Sequence, residues 1–585
     1  RDVLGSRGLG DVYKRQKKRG LTLRFNKVLL FLIFTIFLTA TQPSNAISAN
    51  QGKMVRVGIS DVKFQNYYYN TINITATDSF RLTDKATNSI IADFGALEDV
   101  NITIKDNCFI VKQGTTTIAN GLEGPITAES ENGFVTVKNL KRAGQNAYYR
   151  GTFEITKAPQ KVNQFNLINV LDLQSYLKGV VPNEMPVRFG LEALKAQAVL
   201  ARSYVLKPRE RNYHNFDVCD SVACQVYFGA NTEKELSDKA VDETDNIVAM
   251  SDNELVLALY SSTAGGYTES YENAFSTDMS NGVRVFPGSP RAFLKGVPDD
   301  PKTPVLNTEE AARKFYTTNP ETFDNKSPYF RWTKEWEKTE LENILKQTLK
   351  TQSQAGFVKP KFEKPEDFGS LKEIKVTRRG VSGKAMFVDI ITDKGTFTVS
   401  KELPIRRTFQ KNNISLPSAN VVFDIEITEP DKDSKNEQPV TKIIAHGGGF
   451  GHGVGMSQFG AGAMGDAGYS YEEIIQHYFK NTSISTYPVE LSNQTGHDTD
   501  TQLFYTKNKK VNLVVENKFQ FSKLTVVVNG QELSLEVVPR LFKNEKFDIS
   551  PYIKKGENRI TYLLPYSPLH KKPVRVYVEL KEAEN

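Results

Sequence analysis

Residues 169–206 read NVLDLQSYLKGVVPNEMPVRFGLEALKAQAVLARSYVL, and the texture of the chain changes within them. VLDLQSYLKGVV leads into a longer helical segment, expected from about Phe189 to Leu206 and ended by Pro208. Upstream, from Met54 to about Tyr149, the runs VRVGIS, FRLT, ITIKDNCFIVKQ and FVTVKN are β-rich and separated by Gly, Asn and Asp turns. Downstream the pattern is mixed. A helix is expected near Glu337 to Leu349, strands over Lys372–Val399, and an exposed polar loop over Asp431–Gln438. A Gly-rich block, His446 to Gly468, precedes a helix over Tyr471–Phe479 that Ser470 can cap. The fold class expected is α+β: a mixed core over 47–485 with a β-rich N-terminal part, a polar linker over 486–502, and a small all-β sandwich over 503–585.

Within the opening stretch, Glu184 lies between Pro182 and Pro186, which stiffen the backbone and limit helix on either side. Val180, Val181 and Met185 are apolar neighbours. A carboxyl in that setting resists ionisation, which raises its pKa and suits a general acid. Lys195 and Arg202 are seven residues apart, so they share a helix face with Ala198 between them. A small residue there leaves room for a ligand beside two cations. The plainer alternative is that the two cations form a solvated face and Glu184 is a capping acid.

YLKGVVPNEMP followed by EALKAQAVLARSY resembles the signature of the SpoIID/LytB family of secreted cell-wall proteins. Tyr149–Phe153 (YRGTF), Tyr260–Gly266 (YSSTAGG) and the block HGGGFGHGVGMSQFGAGAMG match in the same order, so the resemblance covers about residues 54–485. The signature carries Ser before the glutamate where this chain has Asn183, a mild departure because Asn still hydrogen-bonds. The resemblance implies a lytic transglycosylase that cleaves MurNAc–GlcNAc bonds of peptidoglycan and leaves a 1,6-anhydro sugar, with Glu184 catalytic and Lys195 and Arg202 on the substrate. A lone carboxyl fits that chemistry. Ordinary glycosidases use two carboxylates, whereas here the substrate's own C6 hydroxyl replaces water, and one Glu can give a proton and take one back. Asp172 and Glu192 are read as structural. The rival implication comes from the LytB branch, known as amidase enhancers: a non-catalytic wall-binding partner of an amidase.

The Gly-rich block holds no phosphate-cradling GxxxxGK[ST], and its one GxGxxG (Gly460, Gly462, Gly465) follows no clear strand. Glycine lets backbone approach a ligand closely, and His452, Ser457 and Gln458 add hydrogen-bonding groups suited to a sugar chain. A tightly turned structural loop is the alternative. In YHNFDVCDSVACQVYFG, His214, Cys219 and Cys224 have the spacing H-x4-C-x4-C, looser than a zinc-finger pattern. A structural zinc is the expectation; a Cys219–Cys224 disulfide or two free thiols are the alternatives. Cys108 lies in a strand-like run and is expected in the core.

The chain has 585 residues, 39% hydrophobic, with 35 Phe and 24 Tyr, which is enough for substantial cores. Its net charge of +7 sits entirely in residues 1–46, where nine Lys/Arg meet two acids; the other 66 basic and 66 acidic residues cancel. A neutral body argues against nucleic acid, whose binding rests on phosphate neutralisation. Residues 17–46 have a secretory layout: a basic start, the eleven-residue apolar run Val28–Leu38, and small residues before an expected cleavage after Ala46. The apolar run is short of the roughly 20 residues of a membrane span. Residues 1–16 do not fit that layout and read as a sequencing or assembly artefact. The expectation is an extracytoplasmic, wall-associated protein.

Overall fold

The computed structural model describes residues 54–580 apart from short internal segments, of which 429–439 and 564–573 are the longest. The expected leader and the Asp431–Gln438 loop lie outside the described residues. The molecule mixes helices and strands throughout, an α+β protein. No helix among the described residues is long and apolar enough to cross a membrane.

The N-terminal region folds into two sheets. One has six strands in the order 145–149, 135–142, 71–76, 100–105, 108–113, 116–122. The other has seven, with 54–58, 165–172 and 152–157 adjacent in its middle. Period-two alternation explains the pairing. Ile72, Ile74 and Ala76 are buried while Thr71 and Asn73 are exposed, and Val100, Ile102 and Ile104 answer them from the next strand.

Strand Phe165–Asp172 delivers the chain to the first key helix, Leu173–Glu184. Asp172 caps it, accepting from the Ser175 N–H at 2.9 Å. The helix runs through Pro182 and ends at Glu184. Pro186 acts one residue later by holding Met185 extended, at φ −128 and ψ 128. So one proline is absorbed in the last helical turn and the other ends the helix, a correction to the expectation that both limit it. The second helix, Leu191–Leu206, is central. Ala193, Ala196, Ala198 and Ala201 are fully buried, and their small size admits neighbours on every side. These are Leu173–Glu184, Glu235–Glu243, Gln458–Asp466, Tyr471–Tyr478 and the strand Ile247–Ser251.

Residues 332–447 form a unit with its own core. Helix Lys338–Gln354 buries Leu341, Leu345 and Leu349, four apart, against a four-stranded sheet carrying Val388, Ile390 and Phe397. Helix Tyr471–Tyr478 starts with the expected Ser470, whose side chain and Glu473 make reciprocal caps. Beyond it, residues 489–580 pair into two four-stranded antiparallel sheets. The stretch expected as a linker contributes strands Val489–Leu491 and Thr499–Thr506. The second pairs along its whole length with Gly556–Leu563, and such long-range pairing overrides local composition.

Candidate active site

Glu184 ends its helix with the side chain turned inward; the residue is 8% exposed. Its Oε1 accepts the Val226 N–H at 2.6 Å, and the Tyr260 hydroxyl lies against the same carboxyl. Burial pushes the carboxyl up to about 7, and the two hydrogen bonds oppose that rise only in part. Such a group is divided between acid and base at neutral pH, as general acid–base work requires. Its backbone is held as well: the Glu184 carbonyl accepts from Gln458 Nε2 at 2.8 Å, and the same nitrogen reaches Gln197 Oε1 at 3.2 Å. Asn183, at the departure from the family signature, bonds the Gly179 carbonyl and Thr232 Oγ1, both at 2.7 Å, and so locks the helix end.

The segment Gln225–Val226, Tyr260 and Tyr176 are members of this site that sequence reasoning did not single out. Tyr176 donates to Gln225 Oε1 at 3.0 Å, and Gln225 Nε2 donates to the Tyr260 oxygen at 3.3 Å. Tyr260 belongs to the quoted YSSTAGG motif, so its signal was present; Gln225 and Val226 directly follow Cys224 and carried none.

The two cations correct the sequence expectation. Arg202 is 1% exposed and donates to the Ile247 carbonyl, Gln174 Oε1 and the Val241 carbonyl. Lys195 pairs with Glu192 at 3.1 Å and Glu243 at 2.7 Å. Ala198 between them is buried. The face is therefore filled by Glu235–Glu243 and Ile247–Ser251, not left open for a ligand, because a helix packed on all sides has no free stripe. Glu192 is structural, as expected, with Oε2 accepting the Tyr471 N–H at 2.8 Å.

The Gly-rich block docks the 259–266 segment. Tyr260 and Ser261 pair with Met456 and Ser457, and Thr263 with Phe450. Gly455, at φ +74, comes so close that a Cβ would sit 2.1 Å from the Leu259 oxygen. The GxGxxG glycines pack too: Cβ atoms at Gly460 and Gly462 would strike Tyr478 and Phe189. Ser457 is fully buried, caps helix Gln458–Asp466, and donates to Asp324 Oδ2 at 3.2 Å. Asp324 also receives the Gly265 N–H at 2.8 Å and is pushed up to about 6 by burial and by Asp299. His452 Nδ1 accepts the Val454 N–H at 3.0 Å, and its ring also bonds the Tyr260 backbone. Burial drives it down to about 4, so it is a neutral Nε2–H imidazole at neutral pH. His452, Ser457 and Gln458, expected on the sugar, hold the framework around Tyr260 and Glu184 through the Val454 N–H, Asp324 and the Glu184 carbonyl.

Cys219 and Cys224 are joined to each other, and His214 is exposed. The residues do not fit the expected zinc: sulfurs bonded to each other are not the thiolates that a metal takes, and among the described residues no three His, Cys, Asp or Glu are gathered as a metal site. The structure has the disulfide alternative. Cys108 is only half-buried, beside Glu123, and so is not the core residue expected.

The Stage II sporulation protein (SpoIID) family matches residues 161–250, the segment that carries Glu184, Gln225 and Val226. A domain family of unknown function, DUF8618, matches residues 280–455. The amidase enhancer of Bacillus subtilis is 29% identical over 317 residues, covering 53% of this chain and 40% of that protein. The stage II sporulation protein D of Bacillus subtilis is 26% identical over 332 residues, covering 54% of this chain and 75% of that protein. An uncharacterised protein of Brachyspira hyodysenteriae is 28% identical over 323 residues, covering 55% and 68%. The chain thus spans two-fifths of the amidase enhancer's length. Residues 161–250 thus carry a SpoIID family domain, and the chain is similar to proteins named amidase enhancer and stage II sporulation protein D.

Proposed function

We propose that this protein is an extracytoplasmic lytic transglycosylase that cleaves the MurNAc–GlcNAc bonds of peptidoglycan strands. The observation that supports this reading is Glu184: a buried carboxyl raised to about 7, with no second carboxylate among the described residues that influence it. In the first step the Glu184 carboxyl gives its proton to the glycosidic oxygen as the bond from MurNAc C1 breaks, and GlcNAc leaves with a free hydroxyl. In the second, the MurNAc C6 oxygen bonds C1 while its proton passes to the Glu184 carboxylate, which restores the acid. No water enters, and the product carries a 1,6-anhydro ring. The Val226 N–H and Tyr260 hydroxyl stabilise the carboxylate that exists between the steps.

A second reading rests on the likeness to a protein named amidase enhancer. In it the chain binds wall polymer and stimulates an amidase without cutting glycan. Purified wild type and Glu184→Gln, each incubated with glycan strands alone and with whole wall plus an amidase, separate the two. Strand cleavage by wild type alone, lost in Glu184→Gln, supports the transglycosylase. Amidase stimulation that survives Glu184→Gln, with no cleavage by wild type, supports the enhancer.

A further inference from the structure

The Tyr260 hydroxyl at the Glu184 carboxyl has a direction that its neighbours fix. Gln225, fully buried, donates from Nε2 to the Tyr260 oxygen at 3.3 Å and to the Ala201 carbonyl, also at 3.3 Å. Its Oε1 accepts the Tyr176 hydroxyl at 3.0 Å. Turning the amide over would set Oε1 against the Ala201 oxygen with no proton between them, so the Ala201 carbonyl admits one orientation only. With Nε2–H already donated to it, the Tyr260 oxygen keeps its single hydrogen for another acceptor, and the Glu184 carboxyl lies beside it. The chain runs one way: Tyr176 to Gln225, Gln225 to Tyr260, Tyr260 to Glu184.

We propose that Gln225 is a positioning residue, one that fixes the Tyr260 hydroxyl as a donor to Glu184 and so sets how readily that carboxyl releases and recovers its proton. This rests on the reading of Glu184 as the acid and base. The proposal concerns an uncharged relay. The other titratable groups about Tyr260 are Tyr204 and Tyr176 on its hydroxyl side and His452 on its backbone. Among the described residues, no Lys, Arg, Asp or second Glu influences Glu184. Each donor in the chain polarises the next. Without Gln225 the Tyr260 oxygen loses its donor, the hydroxyl is free to turn, and the carboxylate keeps only the Val226 N–H.

The test reads the carboxyl itself. In protein carrying 13C-carboxyl glutamate, the Glu184 resonance is identified by its absence in Glu184→Gln and titrated in wild type, Gln225→Leu and Tyr260→Phe. Gln225→Met, whose flexible chain fills the same space, serves if the leucine variant does not fold. The midpoint is expected to rise by about one pH unit in Gln225→Leu and in Tyr260→Phe, and no further in the double variant. The alkaline limb of strand cleavage should move up with it. A midpoint that rises in Tyr260→Phe but stays put in the Gln225 variants would overturn the positioning role; a midpoint unmoved in Tyr260→Phe would overturn the donation. A protein that cuts no strands still gives the titration, so a failed transglycosylase reading shows as absent cleavage with a moving midpoint.

Discussion

At the scale of single residues, Glu184 is held in a costly state. Its folded value near 7 exceeds the usual 4.5, so the folded protein binds this proton more tightly than the unfolded chain does. That contribution to stability is full below about pH 4.5, declines as the pH rises towards 7, and is absent above. The span corresponds to about 3 kcal/mol at most. Glu184→Gln, which has no proton to lose, should therefore gain on wild type in thermal stability as the pH is raised from 4.5 to 8; an unchanging difference between the two melting curves would mean that the carboxyl is solvated. His452 works in the opposite sense. Its value is depressed to about 4, so its share of stability is present above about pH 6.5 and is lost as the pH falls towards 4. The apolar neighbours and flanking proline made the burial of Glu184 legible in the sequence. The partners of its carboxyl were not, because Val226 and Tyr260 lie 42 and 76 positions on, and no local pattern reports a contact across that distance.

At the scale of elements, the helix Leu191–Leu206 and the Gly-rich block carry the account. Arg202→Ala takes the guanidinium donor from the buried Ile247 carbonyl and from Gln174 Oε1, and is expected to cost about 3 kcal/mol or more. Lys195→Ala breaks pairs whose carboxylates stay about a third exposed, and should cost about 1 kcal/mol. Denaturant unfolding of the two variants checks this; equal and small losses would return Arg202 to a solvated or ligand-facing position. In the block, Gly455→Ala places a methyl on the Leu259 oxygen, so the variant should destabilise by several kcal/mol and displace Tyr260. Gly468→Ala, also at positive φ but with open space around it, should cost about 1 kcal/mol. Helix starts and the alternating N-terminal strands were readable because caps and periodicity are local. The meaning of the shared Lys195–Arg202 face was not, since a stripe of cations looks the same whether solvent, a ligand or another helix covers it.

At the scale of the whole molecule, the surroundings of Glu184 are assembled from far along the chain. Glu184 comes from the SpoIID segment, Gln458 returns to its carbonyl from 274 positions on, and residues 332–447, with a core of their own, lie between. The Cys219–Cys224 bridge sits immediately before the Gln225–Val226 contacts. Peptides bearing the two cysteines should stay joined in the purified protein until a reductant is added, and metal analysis should find no zinc retained by them; stoichiometric zinc with both thiols free would reverse that assignment. The most direct measurement of the central claim is mass spectrometry of the fragments released from purified glycan strands. MurNAc ends lighter by one water than reducing ends are expected from wild type, and none from Glu184→Gln at unchanged fold. Ordinary reducing ends, or equal release by the Gln variant, would contradict that claim.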